Sequence, residues 1–75
     1  MAKVIDFSKT IYELTKADPE IIGILKGIGF EQITNSTMIN TVGRLMNIHK
    51  GAAMKGIEIN RIKEVFSARG YQIIE

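Results

Sequence analysis

The chain has 75 residues, no cysteine and a formal net charge of +2. That length leaves room for one domain, residues 1–75, and the missing thiols exclude disulfides, thiolate metal sites and cysteine nucleophiles. An apolar fraction of 45% is that of a globular chain rather than a disordered one, and no run approaches the ~18 apolar residues of a membrane span.

In chain order, Phe7-Ser8 reads as the entry to a first helix. Ser8 is the expected N-cap, and Phe7 and Tyr12 match a hydrophobic staple around it. Asp18-Pro19 ends this helix near Lys16 and opens a second, with Asp18 as cap and Pro19 in the first turn, where no N–H is needed. Ile21, Ile22, Leu25 and Ile28 form the second stripe. Gly23 and Gly27 interrupt it and are expected to let another helix approach closely. Thr34 to Thr37 is a polar turn before a third helix, with Met38, Val42, Leu45 and Met46 on one face and Asn47 as its end. Ile48 to Lys55 forms a fourth helix stopped by Gly56. Glu58 or Asn60 opens a fifth, whose stripe is Ile62, Val65 and Phe66.

A helix-stop pattern occurs twice. Ile21, Ile24, Leu25, Gly29, Phe30 and Ile33 align with Ile62, Val65, Phe66, Gly70, Tyr71 and Ile74. Glycine at C′ takes a left-handed conformation without a Cβ penalty, and the apolar residue after it folds back on the last turn. The expected architecture is all-α, a compact orthogonal bundle of about five short helices. No segment shows the period-2 alternation of a surface strand, so no sheet is expected, and Ile73-Ile74 is read as a tail lying on the bundle.

The sequence offers little reactive chemistry. His49 is the single histidine, and it adjoins Lys50 in a basic stretch. A lone imidazole supplies neither the three or four ligands of a metal site nor an acid–base pair. The carboxylates show no Glu-x-x-His pattern. Gly51 and Gly56 have the spacing of a phosphate loop, but Ile57-Glu58 stands where Lys-Ser/Thr is required and no strand precedes it. Asn35-Ser36-Thr37 is a sequon without a secretion signal to give it meaning. The chain reads as non-enzymatic, without metal or cofactor, cytoplasmic and outside the membrane.

Two binding surfaces suggest themselves. Met38, Met46 and Met54 recur every eight residues, and methionine adapts to varied apolar partners. A groove near Met46, Ala53 and Met54 would serve a protein partner or self-association. Charge supplies the alternative. Residues 1–37 carry −1 and residues 38–75 carry +3. Arg44, His49, Lys50 and Lys55 could hold an anion beside the start of the fourth helix. Arg44, Lys50 and Lys55 with Arg61 and Lys63 give a nucleic-acid footprint, but the would-be recognition helix is short and glycine-bearing, so nucleic acid is not the expected partner.

The stretches Ile5-Asp6-Phe7-Ser8-Lys9-Thr10, Asp18-Pro19-Glu20, Gly29-Phe30, Asn40-Thr41-Val42-Gly43-Arg44 and Lys50-Gly51-Ala52-Ala53-Met54-Lys55 resemble a small prokaryotic domain of unknown function. That domain occurs alone or N-terminal to hemerythrin-like and sensory domains. The resemblance spans nearly the whole chain, implies a compact five-helix orthogonal bundle and brings no established activity; the expected role is a non-catalytic protein-interaction or sensory accessory module. A more distant relative is a redox disulfide domain associated with hybrid-cluster proteins. Its cysteines follow the glycine ending the second helix. Gly29 to Thr34 holds none here, so thiol–disulfide chemistry does not carry over. His49 stands where the resemblance implies proline.

Overall fold

The computed structural model describes residues 3–75, a helical globule closed at its ends by one pair of strands. The elements are β1 (Lys3–Asp6), α1 (Ile11–Ala17), α2 (Glu20–Ile28), α3 (Ser36–Asn40), α4 (Ile48–Lys55), α5 (Ile59–Ala68) and β2 (Tyr71–Ile74), with 3-10 turns at Glu31–Ile33 and Val42–Arg44. Five helices agree with the sequence reading. Ile5, Phe7, Ile11, Ile21, Leu25, Phe30, Ile48, Ile62 and Phe66 fill the centre, drawn from nearly every element.

The strand pair corrects the expectation of no sheet. β1 and β2 run parallel, with Ile5 opposite Ile73 and Asp6 opposite Ile74. The Phe7 amide donates to the Ile74 carbonyl at 2.7 Å and carries the ladder past the strands. Each strand has four residues, too few to display an alternation. Their partners lie at opposite ends of the chain, and no local pattern reports that pairing.

The entry to α1 is also not as read. Ser8 does not cap the helix, because its amide and hydroxyl both donate to Asp6 Oδ1, at 2.9 and 2.6 Å. Thr10 is the N-cap. It forms a capping box in which the Glu13 amide donates to Thr10 Oγ1 and the Thr10 amide donates to Glu13 Oε1, both at 3.1 Å. The reason is visible in the spacing, since Glu stands three residues after Thr10 and Ile three residues after Ser8. Phe7 is thereby released from a staple and buries wholly in the core. The start of α2 is closer to expectation, with the Glu20 amide donating to Asp18 Oδ1 at 3.1 Å.

The long third helix is broken. α3 ends at Asn40, and a 3-10 turn over Val42–Arg44 follows. Asn40 Nδ2 donates to the Ser36 carbonyl and Thr41 Oγ1 to the Thr37 carbonyl, each at 2.8 Å. These side chains compete for acceptors that continue a helix. The Thr41 amide bonds Met38 instead, three residues back. Leu45, placed on the apolar face by a helical reading, is left 81% exposed.

The glycine stops hold. Phe30 N–H reaches back to Leu25 C=O at 3.0 Å, and Ile57 N–H to Ala52 C=O at 2.9 Å, the six-to-one bond of a Schellman ending. Gly29, Gly56 and Gly70 have φ of +131°, +68° and +88°. At Gly29 a Cβ would sit 3.2 Å from Ile57 Cδ1, whereas at Gly70 it would meet nothing within 4 Å. Gly29→Val and Gly70→Val are therefore both expected to destabilise by roughly 1 kcal/mol or more, the first more than the second. Thermal melts showing either variant as stable as the parent would remove the stop assignment there. Gly23 and Gly27 do not mediate helix contact, for a Cβ at either would also meet nothing within 4 Å.

Candidate functional site

The methionine surface read from sequence does not form one groove. α4 buries Ile48, Gly51 and Ala52, and the helical period turns Ala53 and Met54 to the outside. Met54 is 60% exposed, while Met46 is half-buried against the core, with its sulfur 3.5 Å from where a Gly51 Cβ would lie. None of the three lines a cavity found among the described residues.

Three of the four candidate anion ligands have side-chain engagements of their own. The Arg44 guanidinium lies 4.2 Å from the centre of the Tyr12 ring, and its Nε donates to Asn40 C=O at 2.9 Å. His49 Nε2 is 3.9 Å from Glu75 Oε1, and its ring meets Phe7 edge-on. Lys55 Nζ donates to Gln32 Oε1 at 2.7 Å. Lys50 is exposed, but its amide, one of the free donors an anion would use, already donates to Asn47 Oδ1 at 2.8 Å. Lys63, a further member of the nucleic-acid footprint, is paired with Glu75 at 2.7 Å. That salt bridge is the main reason the Glu75 carboxyl lies below its ordinary pKa.

Two grooves lie elsewhere, one on each side of α1. One groove of about 350 Å³ runs between α1, α2 and α3 and is lined by Tyr12, Thr15, Lys16, Ile22, Thr34, Ser36, Ile39 and Asn40. Its polar side chains are largely satisfied internally. Thr15 Oγ1 donates to Ile11 C=O at 2.8 Å, and Thr34 Oγ1 to Glu31 C=O at 3.1 Å. What remains for a ligand is the Tyr12 ring, two isoleucines and threonine methyl groups. Lys16 and Arg44 both approach the Tyr12 ring, within 5.5 Å of its centroid, and brace it.

A second groove, about 280 Å³, lies on the other side of α1 against the strands. Val4 and Ile74 face Leu14, Ala17 and Ile21 across it, and Asp6, Lys9, Glu13 and Asp18 edge it. The hydrogen bonds from Ser8 hold the Asp6 carboxyl below its ordinary pKa, and those from Thr10 do the same for Glu13. A third hollow of about 570 Å³ lies at Pro19, Glu20, Gly23, Ile24, Arg69 and Tyr71, and its Glu20 and Tyr71 are already paired. Tyr71 donates to Asp18 Oδ2 at 2.6 Å, and Lys3 bonds Glu20. Burial and that Asp18 contact push the Tyr71 phenol up, so it stays a donor.

Sequence reasoning missed both grooves. Their signal was faint: Tyr12, Thr15 and Lys16 share a helix face beside the buried stripe Ile11 and Leu14. Among the described residues no group of three or more His, Cys, Asp or Glu is placed to hold a metal ion, and no helix is long and apolar enough to cross a membrane.

Residues 5–68 match the family model described as Domain of unknown function (DUF1858). The chain belongs to the DUF1858 family. A solved structure, the conserved domain protein from Streptococcus pneumoniae TIGR4, is 34% identical with a TM-score of 0.92. The alignment covers 99% of this chain and 94% of that one. No curated protein matches.

In this DUF1858 domain the two stretches most specific to the family resemblance each contain a glycine against the core. Gly43, in Thr-Val-Gly-Arg, is buried beside the start of α1, its Cβ position 3.6 Å from the Tyr12 amide. Gly51, in Lys-Gly-Ala-Ala-Met-Lys, faces the Phe30 ring. Both stretches thus have a packing role.

Proposed function

We propose that this DUF1858 domain is a non-catalytic protein-docking module whose partner seats on the groove between α1, α2 and α3. The observation that carries the reading is the character of that groove: an apolar floor at Tyr12, Ile22 and Ile39, with the hydroxyls of Thr15 and Thr34 turned back on the domain's own backbone. A surface with its polar groups internally bonded rewards apolar contact, and binding hot spots favour a braced aromatic at the centre. The groove has no carboxylate, imidazole or thiol in its lining, which supports a docking role over chemistry. The lack of cysteine in the chain fits a reducing compartment such as the cytoplasm.

Site-specific cross-linking tests this. A photoreactive phenylalanine analogue at Tyr12 of the full chain in its native cell is expected to trap a discrete partner that the same group at Glu64, on α5, does not. Ile22→Glu is expected to remove the product, since Ile22 is only half-buried and tolerates a charge without unfolding. The same products from Tyr12 and Glu64, or none from either, would defeat the reading.

A further inference from the structure

We propose that the groove between the strand pair and α1 docks a peptide segment of a protein partner that presents apolar side chains alternating with Lys or Arg. This surface is separate from the α1–α2–α3 groove, and the inference stands or falls independently of it. The strand register creates the apolar part. Val4 pairs with Gln72 and Asp6 with Ile74, so side chains 4, 6 and 74 share one sheet face. Val4 and Ile74 are 53% and 50% exposed, two of only four large apolar residues so exposed among those described. Both line this groove opposite Leu14. At about 280 Å³ the groove has room for a few side chains of a larger partner.

Charge selects the partner. Asp6 and Glu13 edge the groove against one lining ammonium, Lys9, and Asp18, also at its edge, is engaged by Tyr71 and by Lys3 at 4.0 Å, which leaves three carboxylates against two ammoniums in a chain whose net charge is +2. The local sign is therefore opposite to that of the whole molecule. Asp6 uses Oδ1 for both Ser8 bonds, and Glu13 uses Oε1 for both Thr10 bonds. Each carboxylate is fixed by one oxygen and keeps the other for an external donor. No cation among the described residues forms a salt bridge with either. Fixed carboxylates around an apolar floor complement a cationic, apolar segment and repel an acidic one.

The test is an NMR titration of the full ¹⁵N-labelled chain with an acetylated, amidated hexapeptide of alternating leucine and arginine. Its leucine–glutamate counterpart is the control. Saturable shifts are expected at Val4, Asp6, Leu14 and Ile74, weakening as salt rises, with the glutamate peptide binding at least tenfold less tightly. Glu13→Gln keeps the capping box and removes the charge, and it should weaken binding about three- to fivefold. Ala17→Trp, at an exposed position lining the groove, should abolish the shifts while leaving the melt of the free domain unchanged. Equal affinity for the two peptides, shifts confined to Tyr12 and Ile39, or no shift at millimolar peptide would each overturn the proposal. So would groove shifts that follow protein concentration without peptide, which would place a second copy there.

Discussion

Phe66→Ala is expected to leave the domain largely unfolded at 25 °C. Phe66 is fully buried on α5 and meets two other aromatics edge-on: Phe7 at 6.1 Å between centroids and Tyr71 at 5.3 Å. Phe7 follows β1 and Tyr71 begins β2, so this one ring joins the longest helix to both strands. Truncating a buried phenylalanine costs about 3–5 kcal/mol through lost transfer energy and the cavity left behind. The two edge contacts are each worth about 0.5–1.5 kcal/mol beyond area burial. A chain this short, with no disulfide or metal, has about 3–5 kcal/mol of net stability to lose. The loss therefore matches the whole. Phe66→Leu keeps most of the volume and should retain a cooperative melt with a loss of about 1–1.5 kcal/mol. Circular dichroism melts and urea titrations of both variants check this. A Phe66→Ala chain that melts like the parent would mean that the strands close without the aromatic cluster.

The helix boundaries were legible where one residue type decides the local backbone. Gly29, Gly56 and Gly70 all take positive φ, and Ile48–Lys55 has the limits its flanking Asn47 and Gly56 suggested. Legibility failed where two local signals competed. Ser8 and Thr10 are both acceptable caps, and Glu13 decides between them. Met38, Val42 and Leu45 fit a helical stripe by hydropathy, yet the side chains of Asn40 and Thr41 between them bond back to the carbonyls of the preceding turn and end the helix. The repeat shows the limit of a local signature. Ile33 and Ile74 are aligned positions after equivalent glycines, but Ile33 is buried in a 3-10 turn and Ile74 is half exposed in a strand. The difference comes from β1, which lies beside the chain after Gly70 and comes from the far end of the sequence. The same distance hid the grooves. Tyr12, Ile22 and Ile39 come from three helices, and Val4 and Ile74 from opposite ends, so neither set has a spacing to read.

Gly51→Leu is expected to cost about 2 kcal/mol although it replaces a poor helix former with a good one. Gly51 lies inside α4, where leucine is favoured over glycine by roughly 0.8–1 kcal/mol in an open helix. The site is not open. A Cβ here would stand 3.0 Å from Phe30 Cε1 and 3.5 Å from Met46 Sδ, before any of the leucine beyond Cβ is placed. Phe30 cannot swing aside cheaply. Its ring is fully buried, and its amide is bonded to Leu25 C=O in the ending of α2. Met46 is the softer neighbour, but its carbonyl accepts from the Ile11 amide at 2.8 Å and ties that loop to the start of α1. Overpacking of this kind costs about 1–3 kcal/mol per site, and a whole leucine side chain lies at or above the upper end, which outweighs the propensity gain. Gly51→Ala should fall near the parent, because the contact strain of one methyl group is offset by the better helix former. The pair separates packing from propensity. A propensity-controlled site would give two stabilised variants, whereas a site controlled by the Phe30 contact gives alanine near zero and leucine strongly destabilised. Urea midpoints measure both, and methyl shifts of Met46 in Gly51→Ala report whether the contact is where the fold places it. A Gly51→Leu melt at or above the parent's would show that α4 can lift from Phe30 without loss, and the glycine of the Lys-Gly-Ala stretch would then need an explanation other than packing.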